Sequence, residues 1–224
     1  MIIPPLLIPF FILFILLPFS LLFILATPTV FQIMFGLDYN SALLLFVLII
    51  IGSFINIPLY KKRGRVVIGT YSFFGLIYMI ERRTDLVIAV NLGGCVIPSL
   101  LAIKLLLQLP LIPFLVAFTI CTAVIYTFAK PVPNVGIAVP MFIPPAISAL
   151  TSYITTTVFE LPIYMLPKLA FSTGVLSALV GADILHLKDV EKIGSGVVSI
   201  GGAGTFDGIF LTGVFAVVFS LFLI

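Results

Sequence analysis

Two aspartates stand out as candidates for chemistry in a chain of which only 8% is charged. Asp183 lies in Val180-Gly181-Ala182-Asp183-Ile184-Leu185-His186, and Asp207 in Gly201-Gly202-Ala203-Gly204-Thr205-Phe206-Asp207-Gly208. Each stands at or just inside the end of a long apolar run, where an ionised carboxylate is costly and calls for a function. One short loop separates the two runs, so they should form neighbouring antiparallel helices with both carboxyls at the same membrane level. Asp183 comes at the C-terminal end of its helix and Asp207 in the first turn of the next, so the opposite helix poles would set them apart in proton affinity. A close pair of that kind can share one proton. One carboxylate then activates water while the acid protonates a substrate carbonyl.

Plainer roles exist for the same residues. Asp207 can cap its helix, and Asp183 can pair with Lys188 or Lys192 at the headgroup level. His186, three residues after Asp183, shares its helix face and is expected to be solvated or paired with that carboxylate. Gly181, Gly201, Gly202, Gly204 and Gly208 permit close backbone approach around the pair, and Thr205 is expected to line the site with them. Two other places are expected to line the same site. In Asn91-Leu92-Gly93-Gly94-Cys95-Val96-Ile97-Pro98, Asn91 can hydrogen-bond across helices, Gly93 and Gly94 allow close packing, and Pro98 breaks the helical ladder. The loop Lys130-Pro131-Val132-Pro133-Asn134-Val135-Gly136-Ile137 is a stiff, non-helical turn. It can fold back under the bundle and narrow access to the aspartates, or serve as an ordinary connector.

The elements that must hold these residues are membrane spans. The chain has 224 residues, 62% of them hydrophobic, and a mean hydropathy of +1.38. Soluble domains carry about a quarter charged residues, so this surface cannot cover a water-soluble fold, and the lipid bilayer is the expected partner. No polar stretch is long enough for a second domain, so residues 1–224 read as one all-α polytopic unit. A net charge of +3 gives no nucleic-acid signal. Cys95 and Cys121 lie within apolar runs and read as packing residues. With one histidine, no zinc site can be assembled from the usual ligands, and no cofactor is called for.

Seven stretches are long enough to cross about 30 Å of hydrocarbon, near 5–26, 41–60, 86–108, 111–129, 141–159, 164–185 and 205–224. The opening run has no positive residue before it and is too long for a signal core, so it reads as a retained span. The short apolar segment 66–80 carries charges at both ends and reads as an interfacial hairpin or re-entrant piece. Six of the eleven basic residues lie between 61 and 83, which predicts that loop, the N-terminus, Lys130, Lys188 and Lys192 on the cytoplasmic side of the cell membrane. Sixteen prolines, several inside spans, predict kinked helices.

The Asp183 and Asp207 segments partly resemble aspartyl intramembrane proteases of the presenilin and signal-peptide-peptidase type, which carry Tyr-Asp on one span and Gly-x-Gly-Asp on the next. Here Ala182 precedes Asp183, and Thr205-Phe206 intervenes between Gly204 and Asp207. The family's Pro-Ala-Leu motif has no span after Asp207 to occupy, and Pro145-Ala146-Ile147 is a poor substitute. Over most of its length the chain resembles an uncharacterised family of archaeal and bacterial polytopic membrane proteins. That resemblance rests on the segments 91–98, 130–137, 181–183 and 201–208. It implies no activity, but it suggests that the four places belong to one site.

Three functions are open to these residues. The first is an intramembrane aspartyl-protease-like hydrolase using Asp183 and Asp207 on a transmembrane peptide. The second is a secondary transporter or ion-coupled carrier binding a proton, cation or small solute at the same aspartates. The third is a non-catalytic scaffold or lipid-binding protein in which the carboxyls are caps and helix glue.

Overall fold

The computed structural model describes residues 8–62, 66–73, 76–83, 86–132, 136–189, 196–202 and 208–224. It is mostly helical, as its hydropathy requires, but it also contains small sheets that an all-α reading leaves out. Helix α1 covers Ile8–Phe35 and α2 covers Tyr39–Gly52. Gly36, at φ +65°, lets the chain turn between them. Asp38 then caps α2 by accepting from the Ser41 N–H at 3.1 Å.

Strand β1 (Asn56–Lys62) comes next, then the hairpin of β2 (Val66–Phe73) and β3 (Leu76–Arg83), then β4 (Leu86–Asn91). A π-turn at Leu92–Val96 leads into α3 (Ile97–Leu106), and α4 covers Leu111–Phe128. The short strands β5 (Lys130–Val132) and β6 (Gly136–Ala138) pair antiparallel, and α5 covers Ile143–Val158. Helix α6 (Leu166–Ala178) continues through a π-turn at Leu179–Ile184. Strand β7 (Gly196–Ile200) and α7 (Gly208–Leu221) complete the described chain. In the main sheet β4 lies between β1, antiparallel to it, and β7, parallel to it.

Two expected spans are only partly helical. The run 41–60 is helical only to Gly52, and the run 86–108 opens as a strand. Asn56 and Pro58 oppose helix beyond α2. Pro58 sits on an edge strand beside a bulge, where its missing N–H is tolerated. Leu86–Val90 is rich in β-branched residues, and a buried strand of that kind has the same hydropathy as a helix. The segment 66–80 is part of a β-hairpin. Among the described residues, Leu111–Phe128 and Ile163–Asp189 are long and apolar enough to cross a bilayer. Ser20–Phe35 and Tyr39–Gly52 meet the same criterion jointly, bent by 117°. Leu92–Leu106 and Gly208–Leu221 are apolar but shorter.

Most of the buried apolar residues that are described form one cluster among the helices. Phe23, Phe46 and Phe210 bring α1, α2 and α7 together, with ring centroids 5.5–6.5 Å apart. Helix α6 is buried along its whole face from Leu169 to Val175 and forms the axis of the bundle. The strands join α2, α3, α4, α5, α6 and α7 at the ends that alternate as one end of an up-down bundle, so the sheet caps that end. This is also the end to which nine of the eleven basic residues and both aspartates belong in sequence.

Candidate functional site

Asp183 is placed by a break in its helix. Where α6 ends, the Leu185 N–H donates to the Val180 carbonyl at 3.0 Å, one residue further back than an α-helix allows. Single-turn π segments of this kind often occur at functional sites. Gly181 makes the turn possible at this position. A Cβ there would stand 2.9 Å from the Thr122 carbonyl oxygen and 3.2 Å from Ile125 Cβ. The widened turn carries Ala182 and Asp183 onto a cavity of about 400 Å³, within the usual range for a small-ligand site. The Asp183 carboxyl is half-buried there, and no described residue hydrogen-bonds to it or pairs with it. Lys188 is exposed and makes no ion pair with Asp183; Lys192 lies outside the described residues.

The cavity is a junction of helices and strands. Ile125 of α4, Ala178 of α6 and Pro144 of α5 line its deep side. β6 supplies Gly136, Ile137 and Ala138. β7 supplies Val198 and Ser199, followed by Gly201 and Gly202, and α7 supplies Gly208, Ile209, Leu211 and Thr212. The β5–β6 hairpin therefore folds back over the site: Ile137, like Ile88 and Val198, packs against Leu86 of the main sheet. Lys130 is exposed at the start of β5 and does not line the cavity. Asn134 lies outside the described residues.

The segment 91–98 supports this wall without forming it. Asn91 is almost fully buried. Its Nδ2 donates to the Ser53 carbonyl at 2.7 Å and to Asn56 Oδ1 at 3.0 Å, and its Oδ1 accepts from the Gly94 N–H at 2.7 Å. Ser199 Oγ donates to the same Asn56 Oδ1 at 2.6 Å. Asn56 thus joins β1 and the Asn91 end of β4 to β7 and to the cavity wall. Gly93 packs so closely on the end of α2 that a Cβ would collide with the Ile49 carbonyl and the Ser53 backbone. Gly94 and Pro98 are buried beside it. Gly201 turns at φ +73° directly against Cys95, with the Cys95 backbone nitrogen 2.8 Å from where a Cβ would stand. Asn91, Gly93, Gly94 and Pro98 therefore act through the turn and the sheet.

His186 is neither solvated nor paired with Asp183. It is buried, its Nδ1 lies 3.1 Å from the Gly181 carbonyl oxygen, and its ring lies 4.7 Å from that of Tyr126 on α4. It fastens the π-turn to α4 and does not line the cavity. Gly204, Thr205 and Asp207 lie outside the described residues, so the separation of the two carboxyls is not described; Gly202 and Gly208, on either side of them, both line the cavity. Asn56 and Ser199 were missed in the sequence because one falls in an apparent span and the other in an apparent loop.

Residues 50–219 match a family of proteins of unknown function, DUF1614. The chain belongs to the DUF1614 family. The matched region runs from the end of α2 to α7 and includes every part of the cavity described above. No curated protein and no solved structure matches this DUF1614 chain.

Proposed function

We propose that this DUF1614 protein is an intramembrane aspartyl-protease-like hydrolase, with Asp183 and Asp207 acting on a transmembrane peptide near the cytoplasmic side. One carboxylate takes a proton from water as the water oxygen adds to the peptide carbonyl carbon, and the other carboxylic acid protonates the carbonyl oxygen. Collapse of that adduct breaks the C–N bond, and the departing amine takes up the proton. The observation that carries the reading is that Asp183, whose carboxyl has no partner among the described residues, lines one cavity with Gly202 and Gly208, the described residues nearest Asp207 on either side. A carboxyl placed so deep in an apolar chain is expected to serve a function. In this reading the membrane is crossed several times, with the N-terminus and residues 61–83 on the cytoplasmic side.

The test is cleavage of a membrane-span peptide in proteoliposomes. Asp183→Asn and Asp207→Asn should each abolish turnover while leaving insertion and melting temperature unchanged. Turnover that persists in either variant removes the dyad. A carrier using the same aspartates is favoured by one observation, the 117° bend between Ser20–Phe35 and Tyr39–Gly52, because discontinuous helices mark many transport sites. That reading requires proton- or sodium-dependent uptake by the same liposomes, lost in Asp183→Asn. Loss of stability in both variants with neither cleavage nor uptake would leave the scaffold role.

A further inference from the structure

Helix α5 carries an unusual number of hydroxyls for a helix in so apolar a chain, and it buries them. Ser148, Thr151, Ser152, Thr155 and Thr156 are all buried. Four hydroxyls on this helix follow the ordinary pattern and donate to the carbonyl four residues back: Ser148 to Pro144, Thr151 to Ile147, Thr155 to Thr151 and Thr157 to Tyr153. Ser152 and Thr156, four residues apart on one line of the helix, do not. Their hydroxyls have no hydrogen-bond partner among the described residues, and neither does that of Thr173 on α6.

The three helices are registered by direct contacts. Cys121 Sγ of α4 lies 3.1 Å from Ser148 Oγ and also meets the Ser177 hydroxyl of α6. Ser177 Oγ donates to the Phe118 carbonyl of α4 at 3.2 Å. One turn from this node in one direction lie Ile125 and Pro144, and next to Ser177 lies Ala178; all three line the Asp183 cavity. One turn in the other direction lie Ser152 and Thr173, since α5 and α6 run antiparallel, with the small Ala117 on α4. One more turn brings Thr156 level with Leu169. There the apolar cluster of Leu109, Phe114 and Leu169 closes the bundle.

We infer that Ser152, Thr156 and Thr173 hold a short file of ordered water inside α4, α5 and α6, joined to the Asp183 cavity through the Cys121, Ser148 and Ser177 node. Buried hydroxyls without partners are rare, because each costs the full desolvation of its group. A buried water characteristically makes about three bonds to groups of this kind. From Pro144 to Thr156 the file extends about 18 Å, at 1.5 Å per helical residue. Ile125, Pro144 and Ala178 at its near end line the Asp183 cavity, and the cluster of Leu109, Phe114 and Leu169 stands at its far end. The file serves a hydrolase or a proton-coupled carrier equally and does not depend on choosing between them.

The experiment is water-edited solid-state NMR on the full-length protein in lipid bilayers. Magnetisation from water should reach Ser152 and Thr173 as quickly as it reaches Ser199 on the cavity wall, and faster than it reaches the exposed Thr119 of α4. The isosteric Thr173→Val variant should lose transfer at Ser152 and melt about 2–4 °C lower, the shift expected when a buried bonded group is removed from a chain of this size. No transfer at Ser152 and Thr173 in the wild-type protein overturns the inference. A Thr173→Val variant that melts higher than wild type also overturns it, since removing a dry, unpaired hydroxyl stabilises a core.

Discussion

The substitution Asn91→Asp changes one buried NH₂ group to an oxygen and leaves the shape of the side chain intact. In the native protein that NH₂ donates to the Ser53 carbonyl and to Asn56 Oδ1. In the variant, oxygen faces oxygen at both contacts. A protonated acid could restore one of them; an ionised one restores neither and buries a charge. Losing two net hydrogen bonds at about 1 kcal/mol each, and leaving the Ser53 carbonyl unpaired at about 1–3 kcal/mol, gives roughly 3–5 kcal/mol of destabilisation. At about 2–4 °C per kcal/mol for a chain of this length, the melting temperature should fall by at least about 6 °C. Asn56→Asp is the matching control. Asn56 uses its Oδ1 to accept from both Asn91 and Ser199, and aspartate keeps that oxygen, so this variant should melt within about 2 °C of wild type. Cys95 and Cys121 are both buried and form no disulfide, so a thiol-reactive fluorophore follows unfolding directly in detergent or nanodiscs. Equal losses in the two variants, or a near-native Asn91→Asp, would show that the network does not run in the direction described.

Two further substitutions address the cavity and its turn. Gly201→Ala places a Cβ at φ +73° against Cys95; conformational cost of about 1–2 kcal/mol and overpacking of about 1–3 kcal/mol should lower the melting temperature by more than Gly36→Ala does, since Gly36 has positive φ but open space around it. If the two lose equally, the Cys95 contact is not rigid. Ala138→Trp, at an exposed position of β6 on the cavity wall, should cut cleavage at least tenfold with melting within about 2 °C of wild type. The chain has no native tryptophan, so the new indole also reports substrate entry by fluorescence, and unimpaired turnover would place the substrate elsewhere.

The helices containing α4 and α6 were legible because an apolar run of about 20 residues has few alternatives. The hairpin at 66–80 was legible because charges bracket a run too short to cross. The strands β1 and β4 were not, because Ile, Val and Leu satisfy the hydropathy of a span in either conformation, and only Asn56, Pro58 and Asn91 hint otherwise. Asp183 drew attention as a carboxyl in an apolar run, and that reasoning carries over to its place on the cavity. His186 did not behave as its spacing suggested. Three residues after Asp183 is the same face of an α-helix, but the π-turn rotates the residues beyond it, and the ring goes to Tyr126 instead. A periodicity argument fails wherever the period itself changes.

The sheet also constrains what can fill the cavity. In lipid every backbone N–H and C=O must be satisfied, and an open strand edge facing hydrocarbon is not tolerated. Among the described residues β7 pairs with β4 along one edge only, while its residues Val198 and Ser199 and the Gly201–Gly202 turn line the cavity. Irregular or edge backbone at membrane depth is accepted where it borders protein or water. The open edge of β7 and the Asp183 carboxyl, which has no partner among the described residues, converge on one space, and each is stabilised if that space is hydrated. A dry cavity would leave both in breach of the same rule. Water at this end of the bundle, beside a carboxyl and under a β-hairpin cover, would distinguish this fold from a kinked bundle with a misplaced acid.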